Sequence, residues 1–101
     1  MPVGAVGNAL SGISSAFARR NVVAHNVANL LTEEVRPLRA QQIERQGGGS
    51  RVEVERSETP RRVDLARELV DGEVASLQAK ASLRVLDTEL DLVGSLLDTF
   101  G

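Results

Sequence analysis

The chain contains no cysteine, no tryptophan and no tyrosine, and only two phenylalanines, Phe17 and Phe100. Without cysteine there is neither a disulfide framework nor a thiolate metal site, and the redox compartment is left open. Small-molecule pockets are usually walled by aromatic side chains, so this composition argues against one. No stretch reaches the roughly 18 consecutive apolar residues that a membrane-spanning helix needs, so no membrane insertion is expected. Basic residues are not in excess: 12 Lys and Arg face 14 Asp and Glu, for a net charge of −2. Arg36, Arg39, Arg45, Arg51 and Arg56 alternate with Glu in the middle third, which reads as a solvated mixed-charge surface. A nucleic-acid binder would be expected to carry a basic stripe or patch. The N-terminus also lacks a positively charged start followed by an apolar segment. A protein leaving the cytoplasm with this N-terminus is expected to use a route other than a cleaved signal peptide.

What is present is Ala, Val and Leu in helical order. At 101 residues the chain fits one domain, 1–101. Residues 9–31 read as a helix, because Leu10, Ile13, Phe17, Arg20, Ala24, Val27 and Leu31 recur at alternating spacings of three and four. Residues 1–8 carry Pro2, Gly4 and Gly7 with few anchoring side chains, and disorder is expected there. Residues 32–59 break the helical period. Pro37 pushes Arg36 toward an extended conformation, and Gly47, Gly48, Gly49 and Ser50 form a turn signal. Beyond it Arg51, Val52, Glu53, Val54, Glu55 and Arg56 alternate polar and apolar, the period of a half-buried strand. Residues 38–45 are a weaker strand candidate. Together they read as a short β-hairpin or, uncovered, as a loop, since an isolated two-stranded hairpin is marginal in water.

Residues 60–98 give the strongest local signal, a long helix. Thr59 can cap it with Pro60 at the first helical position, and Asp64 is an alternative cap one turn later. Leu65, Leu69, Gly72, Ser76, Ala79, Leu83, Leu86, Leu90, Val93, Leu97 and Phe100 then keep an unbroken heptad seam. Its centre is small, so a partner backbone can come close. At ~1.5 Å per residue such a helix runs ~55 Å, more than a globular domain of this size needs. The expected fold is mainly α: two helices packed as an antiparallel, coiled-coil-like hairpin with the β-hairpin or loop between them. In that register Leu10, Ile13 and Phe17 are expected to meet residues 83–100. Ala66, Val70, Leu77, Leu92 and Leu96 widen the apolar stripe, so self-association is expected.

No constellation of residues carries a reaction, and the chain is read as a non-enzyme with no catalytic residue, cofactor or metal. His25 is the only histidine, and the nearest acids, Glu33 and Glu34, lie beyond the expected helix end. Ser14 and Ser15 are 10 or 11 residues from His25, roughly 15 Å along a helix, too far for proton transfer. Gly47, Gly48 and Gly49 lack the Lys and Ser/Thr that follow in a phosphate-binding loop.

Two motifs are less generic. Ala9-Leu10-Ser11-Gly12-Ile13, then Ala24-His25-Asn26-Val27-Ala28-Asn29 and Thr32, resembles the N-terminal signature of flagellar rod, hook and hook-associated proteins, roughly A-L-S-G-L, A-N-N-I-A-N and T-P-G-Y. Val63-Asp64-Leu65-Ala66-Arg67-Glu68-Leu69-Val70 resembles the start of that family's C-terminal helix, and Thr88, Leu92, Gly94, Leu96 and Leu97 resemble its last turns. The two ends cover about two-thirds of the chain in the family's order. Departures are His25 for the first Asn of the pair, Glu33-Glu34-Val35 for P-G-Y, and Ser76, Ala79 and Ser82 where the family has Gln, Tyr and Asn. The resemblance is to a short, divergent member close to the smallest rod proteins.

That resemblance implies a structural subunit of the flagellar rod or basal body. Such a subunit is made in the cytoplasm, exported by the flagellar type III apparatus, and packed with itself and other axial proteins in the periplasm-spanning rod. The assembly residues implied are Leu10, Ile13, Phe17, Asn26, Ala28, Asn29, Leu65, Leu69, Leu83, Leu86, Leu90, Val93 and Leu97. Asn26 and Asn29 read equally as polar residues near a helix C-terminus. The alternative is a cytosolic, self-associating helical adaptor or export chaperone, because a heptad seam says only that helices pair.

Overall fold

The computed structural model describes residues 2–100. Its elements run α1 (Pro2–Ala28), β1 (Leu38–Glu44), β2 (Ser50–Arg56) and α2 (Leu65–Phe100). The chain is thus mainly helical, with a two-stranded antiparallel sheet between the helices, as the periodicities imply.

Helix α1 begins seven residues before the expected start. Residues 2–8, expected to be disordered, are its first turns. Ala5 and Val6 are half-buried there, because α2 is long enough to run beside them. At the other end α1 stops at Ala28 and does not reach residue 31. Asn29 N–H bonds the carbonyls of His25 and Asn26, and Leu30 N–H bonds that of Val27 at 3.1 Å. The last turn therefore tightens to shorter-range bonds and ends.

The hairpin pairs Leu38 with Arg56 and Glu44 with Ser50. Gly47, Gly48 and Gly49 all have positive φ, at 90°, 111° and 80°, a run that only glycine adopts without strain. Arg45 N–H to Gly49 O at 2.9 Å and Gly48 N–H to Arg45 O at 3.1 Å close the turn. Below the strands, Ser57 N–H bonds Pro37 O at 2.8 Å and Arg61 N–H bonds Val35 O at 3.0 Å. Those contacts hold residues 60–64 in a non-helical connection, so the Thr59–Pro60 start is corrected. Asp64 is the cap: its Oδ1 accepts from Arg67 N–H at 3.1 Å, and its carbonyl accepts the first helical bond from Glu68 at 3.0 Å.

The two helices pack antiparallel. Gln78 Nε2 donates to Gly12 O at 3.0 Å, Arg19 reaches Gln78 at 2.7 Å, and Asn26 reaches Glu68 at 2.7 Å. The face they share is not the one that the large apolar residues mark. On α1 it comprises Ala9, Gly12, Ala16, Arg19, Val23 and Asn26, all buried or half-buried. On α2 it comprises Glu68, Gly72, Ala75, Ala79, Ser82, Leu86 and Glu89. Leu10 and Phe17 are exposed, as are Leu83, Leu90, Leu97 and Phe100, so the expected meeting of Leu10, Ile13 and Phe17 with residues 83–100 is corrected. The physical reason is close approach. A Cβ on Gly12 would collide with Ser82 Oγ, and one on Gly72 would sit 3.4 Å from Val23. Leu or Phe at Gly12 or Gly72 would force the axes apart.

The β-hairpin packs on α1 and, among the described elements, not on α2. The result is an elongated body of 62 × 24 × 15 Å with a radius of gyration of 17.5 Å, against about 13 Å for a compact domain of this length.

Candidate assembly surface

The buried face of α1 carries two polar side chains that join it to α2 and β1. Asn26 is 1% exposed. Its Nδ2 donates to Leu38 O at 2.8 Å and to Glu68 Oε1 at 2.7 Å, while its Oδ1 accepts from Leu38 N–H at 2.8 Å. The amide thus pairs with Leu38 as a neighbouring strand would, and its remaining donor ties α2 to the same point. Every hydrogen bond offered is used on that side. Glu68 Oε2, by contrast, is buried without a hydrogen-bond partner. Two turns earlier on α1, Arg19 Nη1 donates to Gln78 Oε1 at 2.7 Å and to Gln42 Oε1 at 3.4 Å, again linking helix, helix and strand.

The tip of the hairpin is fastened by hydroxyls. Ser50 N–H donates to Ser11 Oγ at 3.0 Å, and the Ser15 and Ser50 hydroxyls are 2.8 Å apart. Gly48 and Gly49 lie against Asn8 and Ser11 so closely that an added Cβ would meet them within 3 Å. The solvent side of β2 is charged: Arg51 and Glu53 form an exposed ion pair at 3.2 Å.

The implied assembly residues divide into three groups. Asn26 is the buried junction just described. Asn29 is a helix-end residue, its Nδ2 donating to His25 O at 2.8 Å and its Oδ1 accepting from Thr32 at 3.2 Å. Leu10, Phe17, Ala28, Leu65, Leu69, Leu83, Leu90, Val93 and Leu97 are exposed, while Ile13 and Leu86 are half-buried. Arg19 and Gln78 belong to no motif of the sequence, and Glu68 stands there only within the Val63–Val70 motif, with no partner indicated. A signal was available, since Arg19 and Asn26 stand seven residues apart, each on a row otherwise made of small residues.

A groove of about 630 Å³ is lined by the hairpin base, the 57–64 connection and both helices. Arg39, Arg56, Arg61, Arg62 and Arg67 line it together with Glu55, Glu58, Asp64 and Asp71, so it has no dominant sign. No group of three or more His, Cys, Asp or Glu among the described residues could hold a metal ion. No helix among them is long and apolar enough to cross a membrane. The chain matches no protein-family model and no curated protein.

Proposed function

We propose that the chain is a structural subunit of the bacterial flagellar rod or basal body, acting by helix packing and not by catalysis. The resemblance of its two termini to axial proteins motivates this reading. The observation that supports it best is the layout: two terminal helices side by side, with only a hairpin where larger axial proteins insert domains, and leucines exposed along a 36-residue α2. In this reading α1 and α2 act as a coiled-coil-like strut. The exposed rows meet neighbouring subunits, and the charged side chains of β2 face away from them. Export runs through the type III apparatus, and no cofactor is needed.

Fractionation tests the proposal. The protein is expected in the basal-body fraction, and Leu97→Asp, on the exposed end of α2, is expected to remove it while leaving the cytoplasmic pool. An adaptor or export chaperone would stay in the cytoplasm even when unmodified, and that result would overturn the axial reading.

A further inference from the structure

A monomer of this shape leaves too much surface open. Its accessible area is 7460 Å², about 1,900 Å² more than a compact 10.8 kDa protein is expected to expose. Among the described residues the buried apolar ones are Ala9, Ala16, Val22, Val63 and Ala75, so the large side chains contribute little to the core.

Part of the excess lies on one side, although Val70, Val74, Leu77 and Val85 are exposed elsewhere on α2. In an antiparallel pair of right-handed helices, the residues just after each seam position lie on one flank of the pair, and those just before it lie on the other. Ser11, Ser15 and Val22 precede Gly12, Ala16 and Val23, and that flank of α1 carries the hairpin. Leu10 and Phe17 follow Ala9 and Ala16, while Leu69, Leu83 and Leu90 follow Glu68, Ser82 and Glu89. These five are each more than half exposed. With Ile13 and Val27 they form an apolar strip, opposite the hairpin and shared by both helices, which Arg20, Glu73, Lys80 and Asp87 border on the same flank.

We propose that this open face pairs with the same face of a second copy, giving a four-helix bundle with a hairpin on each outer side. Area argues for a second copy as the occupant. The 27 residues of α1 overlap α2 for ~40 Å, and two helices side by side are ~20 Å wide, so the face covers ~800 Å². That is the contribution of each partner to a standard stable interface. A self-complementary slab of two helices on two is also the usual way such an apolar layer is closed. The other flank cannot close in this way, because the hairpin stands proud of it. The inference rests on the shape of the chain and does not depend on the flagellar assignment.

Sedimentation equilibrium on the full chain is expected to give twice the 10.8 kDa mass. Leu83→Asp is expected to weaken the dimer on the order of 100-fold, by placing an unpaired charge in the interface. Leu92→Asp, on the hairpin flank, is expected to leave it within about threefold. Thiol labelling gives a second readout that loss of folding does not mimic, since the chain has no cysteine of its own. Labelling of Leu83→Cys is expected to slow at least about tenfold from dilute to concentrated protein, as its thiol becomes covered, while Leu92→Cys keeps one rate. A folded, concentration-independent monomer would overturn the proposal. So would an assembly dispersed equally from both flanks. Either result leaves the fractionation outcome, and with it the axial reading, untouched.

Discussion

The two ends of the helix pair are held by opposite chemistry. At one end Asn26 binds α1, β1 and α2 through three hydrogen bonds of 2.7–2.8 Å and is withdrawn from water. At the other, Val93, Leu96, Leu97 and Phe100 continue α2 past the start of α1, and Phe100 is 85% exposed. Directional polar contacts define one geometry inside the chain. Apolar side chains without a partner define none until something covers them. The junction end is where the fold is specified, and the far end is where surface is left for association.

That contrast can be broken most directly at Asn26. Asn26→Ala strips Leu38 and Glu68 of their partner, leaves buried polar groups unsatisfied, and is expected to lower stability by about 2–4 kcal/mol. Urea denaturation of the variant measures it. Leu97→Asp, at the opposite end, is expected to change the same midpoint by less than about 0.5 kcal/mol, since it touches only exposed surface.

Next in size is the close approach at the middle. Gly12→Leu drives a side chain into Ser82 and is expected to cost about 1–3 kcal/mol by overpacking, read from the thermal midpoint. Gly7→Leu, where an added Cβ meets nothing within 4 Å, is expected to be neutral or mildly stabilising, because a helix interior favours Leu over Gly by roughly 0.8 kcal/mol. Opposite signs at two glycines of one helix would confirm that packing distance, not propensity, governs Gly12.

Smaller still is the cap. Asp64→Ala is expected to cost about 1 kcal/mol, and hydrogen exchange is expected to accelerate at the Arg67 amide, which Asp64 now holds. The smallest effect is expected on the exposed charges of β2. Arg51→Ala or Glu53→Ala removes an exposed ion pair worth at most about 1 kcal/mol, and a shift in denaturation midpoint near the limit of detection is expected for each.

The hairpin was legible because its signals are local. Three glycines tolerate positive φ, and the alternation from Arg51 to Arg56 has the strand period. The existence of both helices was legible for the same reason, and Asp64 was visible as a candidate cap. The inward faces were legible only in part: Gly72, Ala79 and Leu86 of the expected seam do face α1, while its Leu65, Leu69, Leu83, Leu90 and Leu97 do not. An apolar stripe as wide as that of α2 fits a three-four period on several adjacent rows, and reading by residue size selects the row with the largest leucines. Asn26 was noticed as a motif residue, yet its partner Leu38 is 12 positions away and Glu68 is 42. No local pattern announces a hydrogen bond across that separation.

Composition, breakers and periodicity therefore determined the order and kind of the elements: helix, hairpin, helix, with few aromatics for a core. These follow from the backbone preferences of each residue and its near neighbours, which are present in the unfolded chain. Tertiary structure alone decided which side of each helix turned inward. Close packing of two backbones rewards glycine, alanine and serine at the contact, and a buried amide is tolerated only where distant groups complete its hydrogen bonds. Both conditions depend on what stands opposite, and that exists only once the chain has folded.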